Sequence, residues 1–130
     1  MLSDSDKPVV GSESKMLGVR GNGYDIPIHS DGTVSPQTGG LSVTPDWRLL
    51  PLFLIPRRLQ SKLEDARGSN RLACFRLGSI PFQNATIGKL LLLRPDSAEH
   101  GTIEPSQEMQ LIEFQDALAA TRDLWVIDEN

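Results

Sequence analysis

A glycine-rich loop carries the densest group of residues whose types could do chemistry. It begins at Asp31-Gly32-Thr33 and continues from Pro36 to Val43 as PQTGGLSV. Paired glycines leave backbone N–H groups accessible, and the hydroxyls of Thr38 and Ser42 stand beside them, so the loop is suited to holding a phosphate or carbonyl oxygen. The sequence contains neither a Walker loop nor a GxGxxG pattern here. On spacing alone, a simple turn before a strand explains the same residues.

Three further residues are candidates to act with this loop. Arg20 immediately precedes a glycine, where its guanidinium could clamp a diphosphate or a carboxylate. His100 and Glu104 are four residues apart in HGTIEP, and in a strand this spacing directs both side chains to one face, where they could line a cleft. The alternatives are a solvated arginine at a strand end and a surface turn.

The composition argues against several other kinds of site. A single cysteine, Cys74, excludes a disulfide or a thiolate zinc cluster within the chain, and with only two histidines no metal site is predicted. No run of about 18 apolar residues predicts a membrane span, and residues 1–10 lack the features of a secretory signal. Nucleic-acid binding is not favoured, because the net charge is −4 and the aromatic residues are scattered.

The charged residues are distributed unevenly along the chain. The net charge is −3 over residues 1–46, +7 over residues 47–95 and −8 over residues 96–130. One interpretation is that the basic and acidic segments pair in the folded protein and neutralise each other. The other is that part of the basic segment faces an anionic ligand or an acidic partner.

Short strands and turns dominate the predicted structure, as 11 glycines and 9 prolines among 130 residues favour. Residues 1–15 are predicted to be a mobile N-terminal tail, with a single domain over residues 16–130. Asp46 or Thr44 is expected to cap one helical turn, and a short helix is expected over Arg57–Arg67. The predicted extended segments are Met16–Arg20, Leu41–Val43, Arg71–Leu77, Lys89–Arg94 and Gly101–Glu104. Leu52–Ile55, between two prolines, is predicted to be a short strand or a buried connection.

The clearest helical pattern lies near the C-terminal end of the sequence, over Gln110–Leu124. Helical spacing puts five residues on one face: Leu111, Phe114, Leu118, Thr121 and Trp125. Three of them, Leu111, Phe114 and Leu118, are predicted to face the core. Several short strands with one good helix define the α+β class.

Taken in order, these motifs resemble the type VI secretion exported toxin family. The matching blocks are DGTVSPQTGGLSV, a proline-flanked IPRRL, HGTIEP, and a methionine with the helical MQLIEFQDAL. The similarity runs from about Met16 to Leu124, and its most specific part is Asp-Gly followed by Pro-x-Thr-Gly-Gly-x-Ser-Val. The resemblance implies an ADP-ribosyltransferase-like fold, a compact split β-sandwich of short strands with a C-terminal helix, and NAD in the cleft between two small sheets.

The resemblance also implies roles for individual residues. Arg20 would hold the cofactor from the first strand, and the loop would support NAD through Thr38, Gly39, Gly40 and Ser42. His100 and Glu104 would belong to a third element, in which a glutamate activates the reaction. The catalytic residues it implies are Arg20, Ser42, His100 and Glu104.

Such a protein would be an antibacterial toxin used in bacterial competition. It would consume NAD as a substrate to modify a cytoplasmic target and inhibit growth, and a cognate immunity protein would neutralise it in the producer. The expected site of action is the cytoplasm, with export lacking a cleaved signal left open. The alternative function is a non-catalytic protein-binding module of a secretion or phage locus that keeps the fold.

Overall fold

Ten short strands and one α-helix form the protein, and the computed structural model describes residues 1–130. The strands are β1 (Ser3–Asp4), β2 (Lys7–Pro8), β3 (Thr33–Val34), β4 (Leu41–Val43), β5 (Phe75–Leu77), β6 (Ala85–Ile87), β7 (Leu91–Pro95), β8 (Gly101–Pro105), β9 (Met109–Gln110) and β10 (Trp125–Ile127). The helix is α1 (Leu111–Ala120), and 3-10 helices cover Trp47–Leu49, Leu52–Leu54, Arg57–Leu59 and Arg122–Leu124. The α+β class is therefore confirmed.

All strand pairs are antiparallel and belong to four small sheets. The largest sheet has the order β4-β8-β7-β6, and the three others pair β1 with β2, β3 with β9, and β5 with β10. The predicted strands Leu41–Val43, Lys89–Arg94 and Gly101–Glu104 are found with shifts of at most two residues. The hairpin turn after β7 closes through bonds from the N–H groups of Asp96 and Ser97 to the carbonyl of His100.

The helix covers one face of the large sheet and completes the main core. Phe114 and Leu118 are fully buried in it, while Leu111 is half-buried against the same cluster. The prediction of a core-facing helix is confirmed, although α1 is shorter than predicted and a 3-10 turn follows it. The Thr121 hydroxyl donates to the carbonyl of Leu118, which satisfies one of the carbonyls left free at the helix end.

Two predictions in the middle of the chain are wrong, namely the strand alternative for Leu52–Ile55 and the helix over Arg57–Arg67. Leu52–Leu54 is a 3-10 turn rather than a strand, because it follows Pro51, whose carbonyl accepts from the N–H of Leu54. Residues 57–67 contain one 3-10 turn rather than an α-helix. Here the chain doubles back, so that the backbone of Gly68 pairs with Ile55 and Arg57 instead of continuing helical bonds. Asp46 caps Trp47–Leu49 as predicted, with its side chain accepting from the N–H of Arg48 at 2.9 Å.

The N-terminal residues also differ from the sequence-based expectation. Instead of a separate tail, β1 and β2 form a hairpin in which Pro8 is buried. The amino group of Met1 donates to the carbonyl of Ala73 at 2.9 Å, and the Lys7 ammonium donates to the carbonyl of Trp125 at 2.7 Å. Met16–Arg20 forms no strand, because apart from a single bridge at Leu17 it has no strand partner.

Ion pairs join the basic middle segment to the acidic C-terminal segment. Arg58 pairs with Glu129 at 2.5 Å and Arg76 with Asp128 at 3.3 Å. A third pair, between Arg94 and Glu104 at 3.1 Å, links β7 to β8. Internal neutralisation of the two segments is thus confirmed for these pairs. Arg57, Arg67, Arg71 and Lys89 are exposed and form no ion pair.

None of the helices has the length and apolar character that crossing a membrane requires.

Candidate functional site

A cleft of about 780 Å³ is lined by residues of the large sheet, of the β5–β10 pair and of the segments 13–20 and 44–54. Its buried lining is apolar and comes from both sheets, with Leu93 and Ile103 on one side and Leu77 and Trp125 on the other. Small-molecule sites commonly have this size and this apolar lining, with a few polar groups that fix orientation.

Three arginine–aspartate pairs are among the polar groups of the cleft. Arg20 pairs with Asp25, Arg48 with Asp46, and Arg76 with Asp128, and all six residues line the cleft. Arg48 also stacks on Trp47, with its guanidinium carbon 4.5 Å from the ring centroid. Each guanidinium therefore has an internal carboxylate that an anionic ligand would have to compete with.

Arg20 is the most completely engaged of the three arginines. Its Nε and Nη2 donate to the two carboxylate oxygens of Asp25, and its backbone N–H donates to the same carboxylate at 2.7 Å. The guanidinium also lies 4.3 Å from the ring centroid of Tyr24, an exposed residue. These bonds to Arg20 hold the pKa of Asp25 below its usual range. Asp25 thus fixes Arg20 at the cleft wall.

This pair predicts a pH dependence of stability. Because the folded-state pKa of Asp25 is lowered, its contribution is present above the unfolded-state pKa of about 4 and is lost as the pH falls through the folded-state value. Asp25→Asn is therefore expected to lower the Tm at pH 7, with a difference from the parent protein that shrinks below about pH 4. Thermal unfolding of both proteins between pH 7 and pH 3 measures this. A Tm difference independent of pH would contradict it.

The glycine-rich loop forms two turns before it enters the sheet. The Asp31 carboxylate accepts from both the N–H and the hydroxyl of Thr33, which closes the first turn. In the second turn the Thr38 hydroxyl donates to the carbonyl of Ser35, on the exposed surface. Gly40 is buried with a φ of +157°, and a Cβ there would collide with the backbone of Ile103. Gly40 is therefore required for close packing of the loop on β8.

Ser42 is the exposed residue of β4, between Leu41 and Val43, which pack on the core. It stands opposite Thr102 of β8, which in turn stands opposite Arg94 of β7. A polar row therefore crosses three strands of the large sheet. Ser42 also lies on the wall of the cleft.

Glu104 is fully buried and its carboxylate is satisfied by protein groups. Arg94 Nε donates to both oxygens at 3.1 Å, the Gln37 N–H donates to Oε1 at 3.2 Å, and the Thr102 hydroxyl donates to Oε2 at 3.2 Å. A buried carboxylate with four such bonds is held in place. Glu104 does not line the cleft.

His100 lies in the turn between β7 and β8, where its Nδ1 is 2.9 Å from a carboxylate oxygen of Asp96. It lies outside the cleft lining, as do Thr38 and Gly39. Of the sequence-derived site residues, the structure brings Arg20, Gly40 and Ser42 to the cleft. Thr38, Gly39, His100 and Glu104 are elsewhere.

Three arginines near the cleft and the polar row were not among the site residues predicted from the sequence. Arg48 and Arg76 line the cleft, and Arg94 completes the polar row. The Arg94–Glu104 pair had a signal in the sequence, since a Pro-Asp-Ser turn between two predicted strands places Arg94 and Glu104 on adjacent strands.

Cys74 is no candidate nucleophile, because burial raises the pKa of its thiol to about 11.

No group of three or more His, Cys, Asp or Glu side chains is arranged to hold a metal ion.

Comparison of the chain with protein-family models, curated proteins and solved structures found no match.

Proposed function

We propose that this chain is an antibacterial toxin of the ADP-ribosyltransferase type, which binds NAD in the cleft and transfers its ADP-ribosyl group to a cytoplasmic target. The observation that carries the proposal is the cleft of about 780 Å³ lined by residues of two antiparallel sheets, with Arg20, Gly40 and Ser42 on its wall. An arginine and a Ser-containing strand are the elements that the sequence resemblance implies for NAD binding.

The fold offers further support for this class. A split β-sandwich of the ADP-ribosyltransferase kind encloses NAD between two small sheets. Here β4, β7 and β8 supply one side of the cleft, and β5 and β10 supply the other. We propose that these two sheets correspond to the two halves of that sandwich.

The proposed reaction breaks the bond between nicotinamide and ribose. Positive charge develops on the ribose as nicotinamide leaves, and a nearby carboxylate would stabilise it. Glu104 is fully buried and bound to Arg94, so it would support the loop and not contact NAD. Asp25, which lines the cleft beside Arg20, is better placed for the electrostatic role.

Release of nicotinamide from NAD by the purified chain tests the proposal. We expect release by the parent protein, and a rate about 10- to 100-fold lower for Arg20→Gln, because that substitution removes a charge-assisted contact to the substrate. Arg57→Gln is the matched control, since Arg57 is exposed and forms no ion pair. Its rate should equal that of the parent protein.

No nicotinamide release by the parent protein, or equal rates for Arg20→Gln and the parent, would contradict NAD chemistry in this cleft. Growth of bacteria expressing the chain without a partner provides the second readout. Growth inhibition that follows nicotinamide release across the variants supports the toxin proposal, and a cognate immunity protein would then be expected to cover the cleft.

A second candidate function is a non-catalytic protein-binding module of a secretion or phage locus. The observation that favours it is that the charged residues first implied as catalytic are already paired, Arg20 with Asp25, His100 with Asp96 and Glu104 with Arg94. In this case growth effects would persist in Arg20→Gln, and no nicotinamide would be released by any variant.

A further inference from the structure

We propose that the polar row on the outer face of the large sheet binds a phosphoryl group through Arg94 and Ser42, with Glu104 as the residue that positions Arg94. Ser42 also lies on the wall of the cleft, whereas Arg94 does not line it, so this site adjoins the cleft. It does not require that the chain cleaves NAD.

The first observation is the way in which Arg94 is held. Only its Nε bonds to the protein, at 3.1 Å from each oxygen of Glu104. Its Nη1 and Nη2 have no protein partner, and about a third of the side chain is exposed, at 36%. Glu104 is itself fixed by Gln37 and Thr102. The guanidinium therefore presents two unused NH₂ groups to solvent from an anchored position.

The second observation is the position of Ser42. The register places it across Thr102 from Arg94, on the same face of the sheet. Neighbouring strands are about 4.8 Å apart, so the backbones of Ser42 and Arg94 are about 10 Å apart, with Thr102 between them. The Ser42 residue is exposed, and its hydroxyl has no protein partner. Arg94 is long enough to reach across the row, and a serine hydroxyl with a guanidinium edge on one face matches the oxygens of a phosphoryl group.

The third observation is that the neighbouring carboxylate is already occupied. Asp96 is two residues beyond Arg94, and its carboxylate is 2.9 Å from the Nδ1 of His100. Glu104 is fully buried and engages Arg94 through Nε alone. Neither carboxylate is thus free to pair with the Nη groups of Arg94, which remain available to an external anion.

Titration with inorganic pyrophosphate, followed by NMR or calorimetry, tests the proposal. The parent protein should bind pyrophosphate. Ser42→Ala should weaken binding about 2- to 10-fold through loss of one neutral hydrogen bond. The double variant Arg94→Gln/Glu104→Gln should weaken it about 10-fold or more, and it leaves no unpaired buried charge, so it keeps the fold testable. Arg57→Gln is the matched control and should bind as the parent does.

Two arms identify the source of the phosphoryl group. Tighter binding of ADP than of pyrophosphate assigns the site to a nucleotide, and equal binding assigns it to the anion alone. Absence of pyrophosphate binding by the parent protein, or equal binding by the double variant, overturns the proposal. Loss of pyrophosphate binding in the double variant without loss of nicotinamide release would support this site and leave the proposed reaction standing, which separates the two.

Discussion

Replacing Phe114 with alanine is expected to lower the free energy of unfolding by about 3–5 kcal/mol. Phe114 is fully buried at the centre of α1 and packs in the main core with Leu118 and strand residues of the large sheet. Removing the ring leaves a cavity that the surrounding strands cannot fill, because they are fixed by their own hydrogen bonds. Urea unfolding at equilibrium measures the change.

The helix supplies its own control for this measurement. Ile112 lies on the same helix with 66% of its surface exposed, so Ile112→Ala should change the free energy of unfolding by about 0.5 kcal/mol or less. A loss below about 1 kcal/mol for Phe114→Ala would show that this face of the helix is not part of the core.

The second large effect is expected at the Arg94–Glu104 pair. Replacing Arg94 alone with methionine leaves the Glu104 carboxylate fully buried without its cationic partner, which should destabilise the protein by about 3 kcal/mol. The double variant Arg94→Met/Glu104→Leu removes both charges and should recover most of this loss. Urea unfolding of the parent, the two single variants and the double variant gives the coupling energy.

Arg57→Met is the comparison for charge loss at an exposed arginine and should have an effect near zero. Additive effects of the two substitutions at the pair would mean that Arg94 and Glu104 do not interact. That result would also remove the anchored guanidinium on which the phosphoryl site depends.

The elements that could be predicted from the sequence are those specified by local patterning. The helix carries Phe114 and Leu118 four residues apart on one face, and β7 alternates buried Leu91 and Leu93 with less buried neighbours. Asp46 likewise caps the helical turn beside it through a contact two residues away. In each case, the types and spacing of residues a few positions apart are enough to predict the local structure.

The regions predicted incorrectly depend on distant partners. Residues 57–67 have helical spacing, yet Arg58 pairs with Glu129 and Lys62 donates to the carbonyl of Glu129. The N-terminal residues have too little apolar surface to predict packing, and they are held by backbone bonds to residues about 70 positions away. Periodicity carries no information on such contacts.

In the candidate site, too, features set by local sequence could be predicted, and features set by the path of irregular loops could not. The turn geometry of the glycine-rich loop follows from residue types and spacing. The prediction that His100 and Glu104 share a strand face and line one cleft is wrong, because His100 lies in the turn before β8 and neither residue lines the cleft. The pairing of Arg20 with Asp25 depends on the course of an irregular loop through Gly21 and Gly23, and no periodic rule describes it. The sequence therefore indicated Arg20 as a candidate but did not reveal its partner.

The way in which the two chain ends are joined to the middle has a consequence for folding kinetics. The Met1 amino group donates to the carbonyl of Ala73, and the Trp47 indole donates to the carbonyl of Asn130. Strand β5 pairs with β10, which lies some 50 residues later in the sequence. The entropy cost of closing such long loops arises before the stabilising contacts form. Folding should therefore take milliseconds to seconds rather than microseconds. During synthesis, β5 would remain an unpaired edge until β10 had left the ribosome. A nascent chain of this kind depends on chaperones or rapid completion to avoid edge-to-edge association.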